Sequence, residues 1–328
     1  MNKIIEVRDL TKHFKVESKL GTKVDYVKAV NGVSFDVLEG ETLGLVGESG
    51  CGKSTTGRLI LRLIKPTSGD IYLEGKNINQ ISDKELRKIR KDIQVVFQNP
   101  YSALDPKMTI ADILSEPLSI HKIVHKYQYE NEVKRLLGLV GLSEKDMRKF
   151  PHEFSGGQRQ RIGIARAIAT KPKFIICDEP VSALDVSVQS QILNLLTDLQ
   201  SELKVSYLFI AHGLNVIRHM SKKVGVMYLG KIVEIGDVEE IYTNPRHPYT
   251  KVLLASAPIP DPTSDRDKQF VKGEVPSPIH TPTGCAFHPR CEHAMEICKS
   301  RTPFLKNIEA EHKVACHLLD YDEKFGGE

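Results

Sequence analysis

Eight consecutive residues, Gly47, Glu48, Ser49, Gly50, Cys51, Gly52, Lys53 and Ser54, have the types and spacing that grip a triphosphate. The glycines let successive backbone N–H groups turn inward around an anion. Lys53 can reach the terminal phosphates, and Ser54 can hold Mg2+. The apolar run from Glu41 to Val46 suits a buried strand, and Thr55 to Leu63 continues as a helix whose N-terminus faces the phosphate. A second constellation is the apolar strand Phe174 to Cys177, which ends in Asp178 and Glu179. Successive strand residues point to opposite sides, so two carboxylates there divide the work. Asp178 can face the Mg2+ held by Ser54, and Glu179 can polarise a water lined up on the γ-phosphate. A third constellation is Ser155, Gly156, Gly157 and Gln158, opening the helical run Ile162 to Thr170. It is a second helix N-terminus able to bind an anion. Two anion-gripping elements beside a single lysine loop imply a nucleotide sandwiched between the loop of one subunit and the Ser155 element of another.

Elements that position these groups follow from periodicity. Ile4 to Leu10 and Val33 to Leu38 alternate like strands, with residues 15–28 a loop or hairpin excursion between them. Gly69 to Gly75, Ile93 to Phe97 and Ser206 to Ile210 are further strands, and Ser187 to Leu203 is an amphipathic helix. Between Asn99 and Glu153 the texture becomes helical, with 3.6-type periodicity in Thr109 to Leu114 and Glu130 to Val140. Strands alternating with helices predict an α/β core around a mostly parallel sheet, with an inserted helical subdomain at about 99–155. Ten of the 17 prolines lie between Pro245 and Pro303, so long regular elements are not expected there. The expected division is a nucleotide-binding domain over 1–250 and a Pro-rich domain over 251–328.

Bulk properties narrow the class. A hydrophobic content of 40% and a charged content of 27% are those of an ordinary soluble protein. The net charge of +4 is mild, and the basic stretch Lys84 to Lys91 reads as a solvated helix face, so nucleic acid is not an expected partner. No apolar run approaches the roughly 20 residues that span a bilayer, and the polar N-terminus is no signal peptide. The expected location is the cytosol, docked on a membrane protein.

Taken together, Gly47–Ser54, Gln98, Ser155–Gln158, Asp178–Glu179, Ser182 to Asp185 and His212 resemble the ordered motif set of an ATP-binding-cassette (ABC) ATPase over roughly residues 1–250. The resemblance implies a P-loop NTPase (RecA-like) core with an antiparallel β subdomain and an inserted α-helical subdomain. It also assigns roles. Gln98 would touch Mg2+ and the attacking water and relay to a transmembrane partner. Asp185 would lie at the dimer seam, and His212 would contact the γ-phosphate and hold Glu179. An aromatic residue that stacks on adenine is expected near the end of the first strand, either Phe14 or, given the inserted loop, Tyr26. The chain departs from the family where the switch histidine is usually followed by Asp: here Gly213 follows His212.

Val96 to Thr109, Arg246 to Leu254 and Gly273 to Pro278 resemble the oligopeptide/dipeptide importer group, most nearly the second ATPase of such permeases. That resemblance implies an ATPase energising uptake of short peptides, paired with a sister ATPase and two transmembrane permease subunits at the cytoplasmic face of the membrane. An extracellular or periplasmic peptide-binding protein would capture the solute. The alternatives are an importer of nickel or sugar, or a soluble cassette ATPase not coupled to transport.

Cys51 reads as a small filler in the loop and Cys177 as a core residue. The other thiols, Cys285, Cys291, Cys298 and Cys316, fall within 32 residues at spacing C-x5-C-x6-C-x17-C. Four thiols suit tetrahedral Zn2+ or an iron–sulfur cluster, and His288, His293, His312 or His317 could complete a mixed zinc site. Chemistry and spacing alone favour zinc. The sequence Gly284 to Cys291 with Val314 to His317 resembles the importer group's [4Fe–4S]-binding tail, which implies iron–sulfur and a small irregular C-terminal metal-cluster domain.

Overall fold

The computed structural model describes residues 2–17, 24–256, 273–309 and 311–320. The centre of the 15–28 excursion and part of the 251–328 segment lie outside the described residues.

Two sheets carry the fold. β1 (Lys3–Glu17) and β2 (Val24–Leu38) pair antiparallel over most of their length, so the described flanks of the expected excursion follow its hairpin alternative rather than its loop. β3 (Thr42–Val46) belongs to the second sheet, while β4 (Ser68–Leu73) and β5 (Lys76–Asn77) complete the first in the order β2-β1-β4-β5. The second sheet adds β6 (Ile93–Val96), β7 (Phe174–Asp178), β8 (Ser206–Ile210), β9 (Lys223–Tyr228), β10 (Lys231–Asp237), β11 (Lys306–Glu309) and β12 (His312–Val314). Its order is β11-β12-β10-β9-β3-β8-β7-β6, parallel from β9 through β6 and antiparallel from β9 outward to β11. Strands from the Pro-rich tail thus extend the main sheet through β12 on β10.

The parallel strands are apolar throughout because both faces are covered. Ile175, Cys177, Tyr207 and Phe209 point into one core, and Phe174, Ile176, Leu208 and Ile210 into the other. The second core also takes Leu59 and Ile60 of α1 (Lys53–Ile60) and the inner face of the antiparallel sheet. α2 (Asp83–Ile89) buries only Leu86, the solvated face its charges predict. The helical insert comprises α3 (Pro100–Ala103), α4 (Ile110–Ile120) and α5 (Tyr129–Leu139), opened at Thr109 by a capping box with Asp112. It packs Ile113, Leu114, Val133, Leu136 and Leu137 into the first core with α6 (Gly156–Ile168) and α7 (Val186–Leu203). α8 (Leu214–Met220), α9 (Val238–Thr243) and α10 (Pro248–Ala255) follow, and α11 (Glu296–Ser300) lies in the tail. Among the described residues no helix is long and apolar enough to cross a membrane.

Candidate active site at the strand ends

Parallel strands direct their carboxyl ends to one edge, and in α/β sheets ligands bind there. Each parallel strand from β3 to β6 delivers one part of the site. β3 ends in the phosphate loop, β6 is followed by Gln98, β7 ends in Asp178 and Glu179, and β8 leads to His212. Register fixes their relative heights, with Leu45 and Asp178 both opposite Ile210, and Val96 opposite Cys177.

The loop wraps tightly onto its neighbours. A Cβ at Gly47 would run into the Met227 carbonyl, and one at Gly52 into the Ala29 carbonyl. Gly52 also has φ 107, a left-handed conformation that only glycine adopts cheaply, and it caps α1 without any side-chain bond. The first-turn N–H groups of α1 therefore have no side-chain cap, the arrangement that suits an anion. Lys53 is 4% exposed, and its Nζ donates to Gly47 O at 2.7 Å and Glu48 O at 3.1 Å. Ser54 Oγ donates to Asp178 Oδ1 at 2.8 Å, which brings together two of the three expected Mg2+ ligands. Oxygen donors of this kind suit a hard divalent ion. Thr55 continues the first turn of α1. Ser49 and Gly50 form the exposed tip of the loop, with Gly50 at φ 78. Cys51 is buried, and desolvation pushes its thiol up despite nearby Lys53, as a filler residue requires.

Both carboxylate oxygens of Glu179 are held. Gln98 Nε2 donates to Oε2 at 2.7 Å, and His212 Nε2 lies 2.7 Å from Oε1. Gln98 also reaches Ser182 Oγ at 3.4 Å. Glu179 is 6% exposed and sits at φ 50, a left-handed conformation rare for a non-glycine residue. Strain of this kind costs on the order of 1–3 kcal/mol and collects where a side chain must be aimed. Its N–H donates to Ile210 O at 3.0 Å, which locks the turn to β8.

The Ser155 element is built differently. Ser155 Oγ accepts from Gln158 N at 3.3 Å, and Gln158 Oε1 accepts from Ser155 N at 3.0 Å, a reciprocal capping box. Gly156 faces Leu184, and a Cβ at Gly157 would stand 2.5 Å from Val188 Cγ1. Asp185 caps α7, accepting from Val188 N at 3.0 Å and Ser187 Oγ at 2.7 Å, and the Val188 N–H holds its carboxyl below the usual range.

Phe14 and Tyr26 lie on the β1–β2 hairpin, 38% and 50% exposed. Phe14 is opposite Val27 and Tyr26 opposite Lys15, so the rings occupy opposite faces and only one can turn to a given base. The Lys12 ammonium stands 5.1 Å from the Phe14 ring centroid. Gly213, where the family has Asp, is the N-cap of α8 and makes no side-chain cap.

In the tail, Cys285, Cys291, Cys298 and Cys316 line one small cavity of about 10 Å3 together with His293 and His317. Burial pushes the thiols of Cys285 and Cys291 up, and that of Cys316 to about 12. Among the described residues no three His, Cys, Asp or Glu side chains come close enough to hold a metal ion, so the expected metal group is not reproduced. Four thiols on one cavity are donor chemistry that fits a soft metal. Three of the four candidate histidines are otherwise engaged. His312 Nε2 is 2.8 Å from the fully buried Glu234, His288 Nδ1 meets Cys285 O at 2.9 Å, and His317 Nε2 meets Arg301 O at 2.8 Å.

Three residues not anticipated from sequence close on the loop. Arg290 takes both oxygens of Glu48 at 2.8 and 2.9 Å, Tyr249 Oη accepts from Glu48 N at 2.9 Å, and Tyr228 Oη stands 3.4 Å from Arg290. The loop and Arg290 are 242 residues apart, so no local pattern announces the pair.

Comparison with known proteins agrees with this geometry. A family model described as ABC transporter matches residues 30–182, and one described as the oligopeptide/dipeptide transporter C-terminal region matches 233–298. The oligopeptide transport ATP-binding protein AppF of Bacillus subtilis is 51% identical over 319 residues, covering 96% of this chain and 97% of that protein. The di/tripeptide transport ATP-binding protein DppF of Pseudomonas aeruginosa is 45% identical, covering 97% and 98%. Among solved structures, the dimeric post-hydrolysis state of the cassette MJ0796 bound to ADP and Pi is 31% identical with a TM-score of 0.63, covering 71% of this chain and 98% of that one. With a motor site at the strand ends and relatives matching along nearly its whole length, the chain belongs to the ATP-binding-cassette ATPases, in the group of oligopeptide and dipeptide transport ATP-binding proteins.

Proposed function

We infer that this chain hydrolyses ATP to drive uptake of short peptides through membrane permease subunits. The observation that carries the catalytic half is Glu179, held on both oxygens beside the Ser54–Asp178 pair. Lys53 exchanges the Gly47 and Glu48 carbonyls for phosphate oxygens, and the free N–H groups of α1 receive the triphosphate. Ser54, Asp178 and Gln98 would hold Mg2+, which neutralises charge on the transferring phosphoryl group. Glu179 accepts a proton from the attacking water, while His212 and Gln98 fix its orientation. Phe14, at the end of the first strand, is the adenine-stacking candidate, with Tyr26 on the opposite face as the alternative.

Ser155 to Gln158 and Asp185 act in trans, on the nucleotide of a sister ATPase. Closure of the two subunits on ATP draws its energy from the higher affinity of ATP for the closed state. Gln98 and the helical insert pass that closure to two permease subunits, with a peptide-binding protein delivering the solute and this chain peripheral on the cytoplasmic face. The peptide substrate rests on the names of AppF and DppF. Co-purification with its permeases and reconstitution in liposomes tests it. Peptide-stimulated ATP turnover with peptide uptake is expected; turnover indifferent to peptides overturns the assignment.

For the tail, the reading is an iron–sulfur cluster on Cys285, Cys291, Cys298 and Cys316, with zinc as the alternative. Its support is that four soft donors share one cavity, which they would tighten around the group. Anaerobically purified protein should contain iron and acid-labile sulfide in equal amounts, whereas zinc without sulfide selects the alternative.

A further inference from the structure

Glu48 is the second residue of the phosphate loop, and its backbone and side chain are gripped from three directions. Its N–H donates to Tyr249 Oη, its carbonyl accepts from Lys53 Nζ, and its carboxylate takes both arms of the Arg290 guanidinium. Arg290 comes from the tail, one residue before Cys291, and its side chain is 7% exposed. The turn that presents it is anchored on both sides. Cys285 N donates to Cys298 O at 2.8 Å, and Arg290 N to Phe287 O at 2.9 Å. Phe287, from the same turn, is 2% exposed, with its ring centroid 5.3 Å from that of Tyr228 and 5.4 Å from that of Tyr249. One short segment between two cysteines thus plugs an aromatic ring and a guanidinium into the nucleotide domain.

Two physical consequences follow for ATP. A planar, bidentate guanidinium–carboxylate pair fixes orientation as well as distance, so the loop backbone is held in one conformation before nucleotide arrives. The Glu48 carboxylate is also a negative charge inside a loop that must accept a polyanion. Arg290 neutralises it at contact distance, where little water intervenes. Without Arg290 the loop would be both looser and repulsive to phosphate.

We propose that Arg290 is a positioning residue for the phosphate loop, so that the cysteine-bearing tail sets the affinity of the site for ATP. Its guanidinium is spent on Glu48 and Tyr228, so its effect falls on binding rather than on chemistry. The test is steady-state ATP turnover of the full-length chain in its assembled complex, for Arg290→Met, Arg290→Lys, Glu48→Gln and the double variant Glu48→Gln/Arg290→Met. Arg290→Met should raise KM for MgATP by roughly tenfold with kcat within about twofold, the split that marks lost ground-state positioning. Arg290→Lys keeps the charge without the fork and should fall between. The double variant should bind ATP better than Arg290→Met, because the unpaired carboxylate is gone. A merely structural brace predicts the reverse order, with KM and thermal stability worsening together. An unchanged KM in Arg290→Met, or a double variant that binds ATP no better than it, overturns the proposal. If Arg290→Met does not fold, Arg290→Lys and Glu48→Gln decide it, and an unchanged KM in both overturns it.

Discussion

Helices α1 and α6 both carry glycine at their N-terminal ends, yet their first turns are finished in opposite ways. The N-cap of α1 is Gly52 in a left-handed conformation, and no side chain among the described residues caps the helix. The N-cap of α6 is Ser155, whose reciprocal box with Gln158 engages the N–H groups of both residues. An open first turn is an anion site within its own chain. The capped one must release the Gln158 N–H before offering that donor to a ligand, and a cap of this kind is worth about 0.5–2 kcal/mol. On the proposed function, the same helical physics would yield a primary phosphate grip at α1 and a conditional one at α6, recruited when a partner's nucleotide is pressed against it.

The comparison breaks most visibly at the base that serves the open end. Glu179→Gln keeps the side chain's shape and one acceptor but loses the carboxylate, so ATP turnover should fall by roughly 10^2 to 10^4-fold. Nucleotide binding should survive, since Lys53 and α1 are untouched. Single-turnover assays with equilibrium binding measure both, and unchanged hydrolysis would remove Glu179 as the base.

The glycines sharpen it next. Gly52→Ala meets φ 107 and the Ala29 carbonyl, so backbone must move, and ATP binding and folding should suffer together. A left-handed conformation alone costs a non-glycine residue on the order of 1–3 kcal/mol. Gly157→Ala at the closed end meets only the Val188 side chain, stiff at χ1 but able to shift with its helix, and overpacking of this kind costs about 1–3 kcal/mol. Thermal melts should therefore rank Gly52→Ala below Gly157→Ala, with ATP binding lost in the first alone.

Much of this site was legible in the sequence because its chemistry is local. The phosphate loop, the carboxylates ending β7 and the Ser155 cap are each set by neighbours within a few residues, and apolar runs of β3, β7 and β8 mark strands buried on both faces. What escaped is non-local. Residues 15–28 read as either a loop or a hairpin because Lys15, Glu17 and Asp25 interrupt the alternation, and the register of a long antiparallel pair decides for strand on the described flanks. The pairing of β12 with β10 and the Glu48–Arg290 bridge join segments far apart in sequence. The left-handed turn at Glu179 is imposed by its bond to β8, not by any residue preference. The four cysteines were legible as a group, and the fold gathers them around one cavity, although among the described residues no three such side chains are poised to hold a metal ion.

The smallest expected effect concerns a third helix end. Gly213 begins α8 without a side-chain cap, and nothing stands within 4 Å of a Cβ placed there. Gly213→Asp should cap α8 and stabilise the chain by a few tenths of a kcal/mol. Denaturant titration resolves this as a small rise in midpoint at constant slope. A fall would mean that the carboxylate acts on Glu179 rather than on the helix.

Equilibrium titration of MgATP into the isolated full-length chain tests the open-versus-closed distinction most directly, with Lys53→Met set against Ser155→Ala. Lys53→Met should weaken binding by about a hundredfold, while Ser155→Ala should leave it within about twofold. Equal weakening by both substitutions would place the two helix ends on one nucleotide of one chain, and would contradict the division of labour between them.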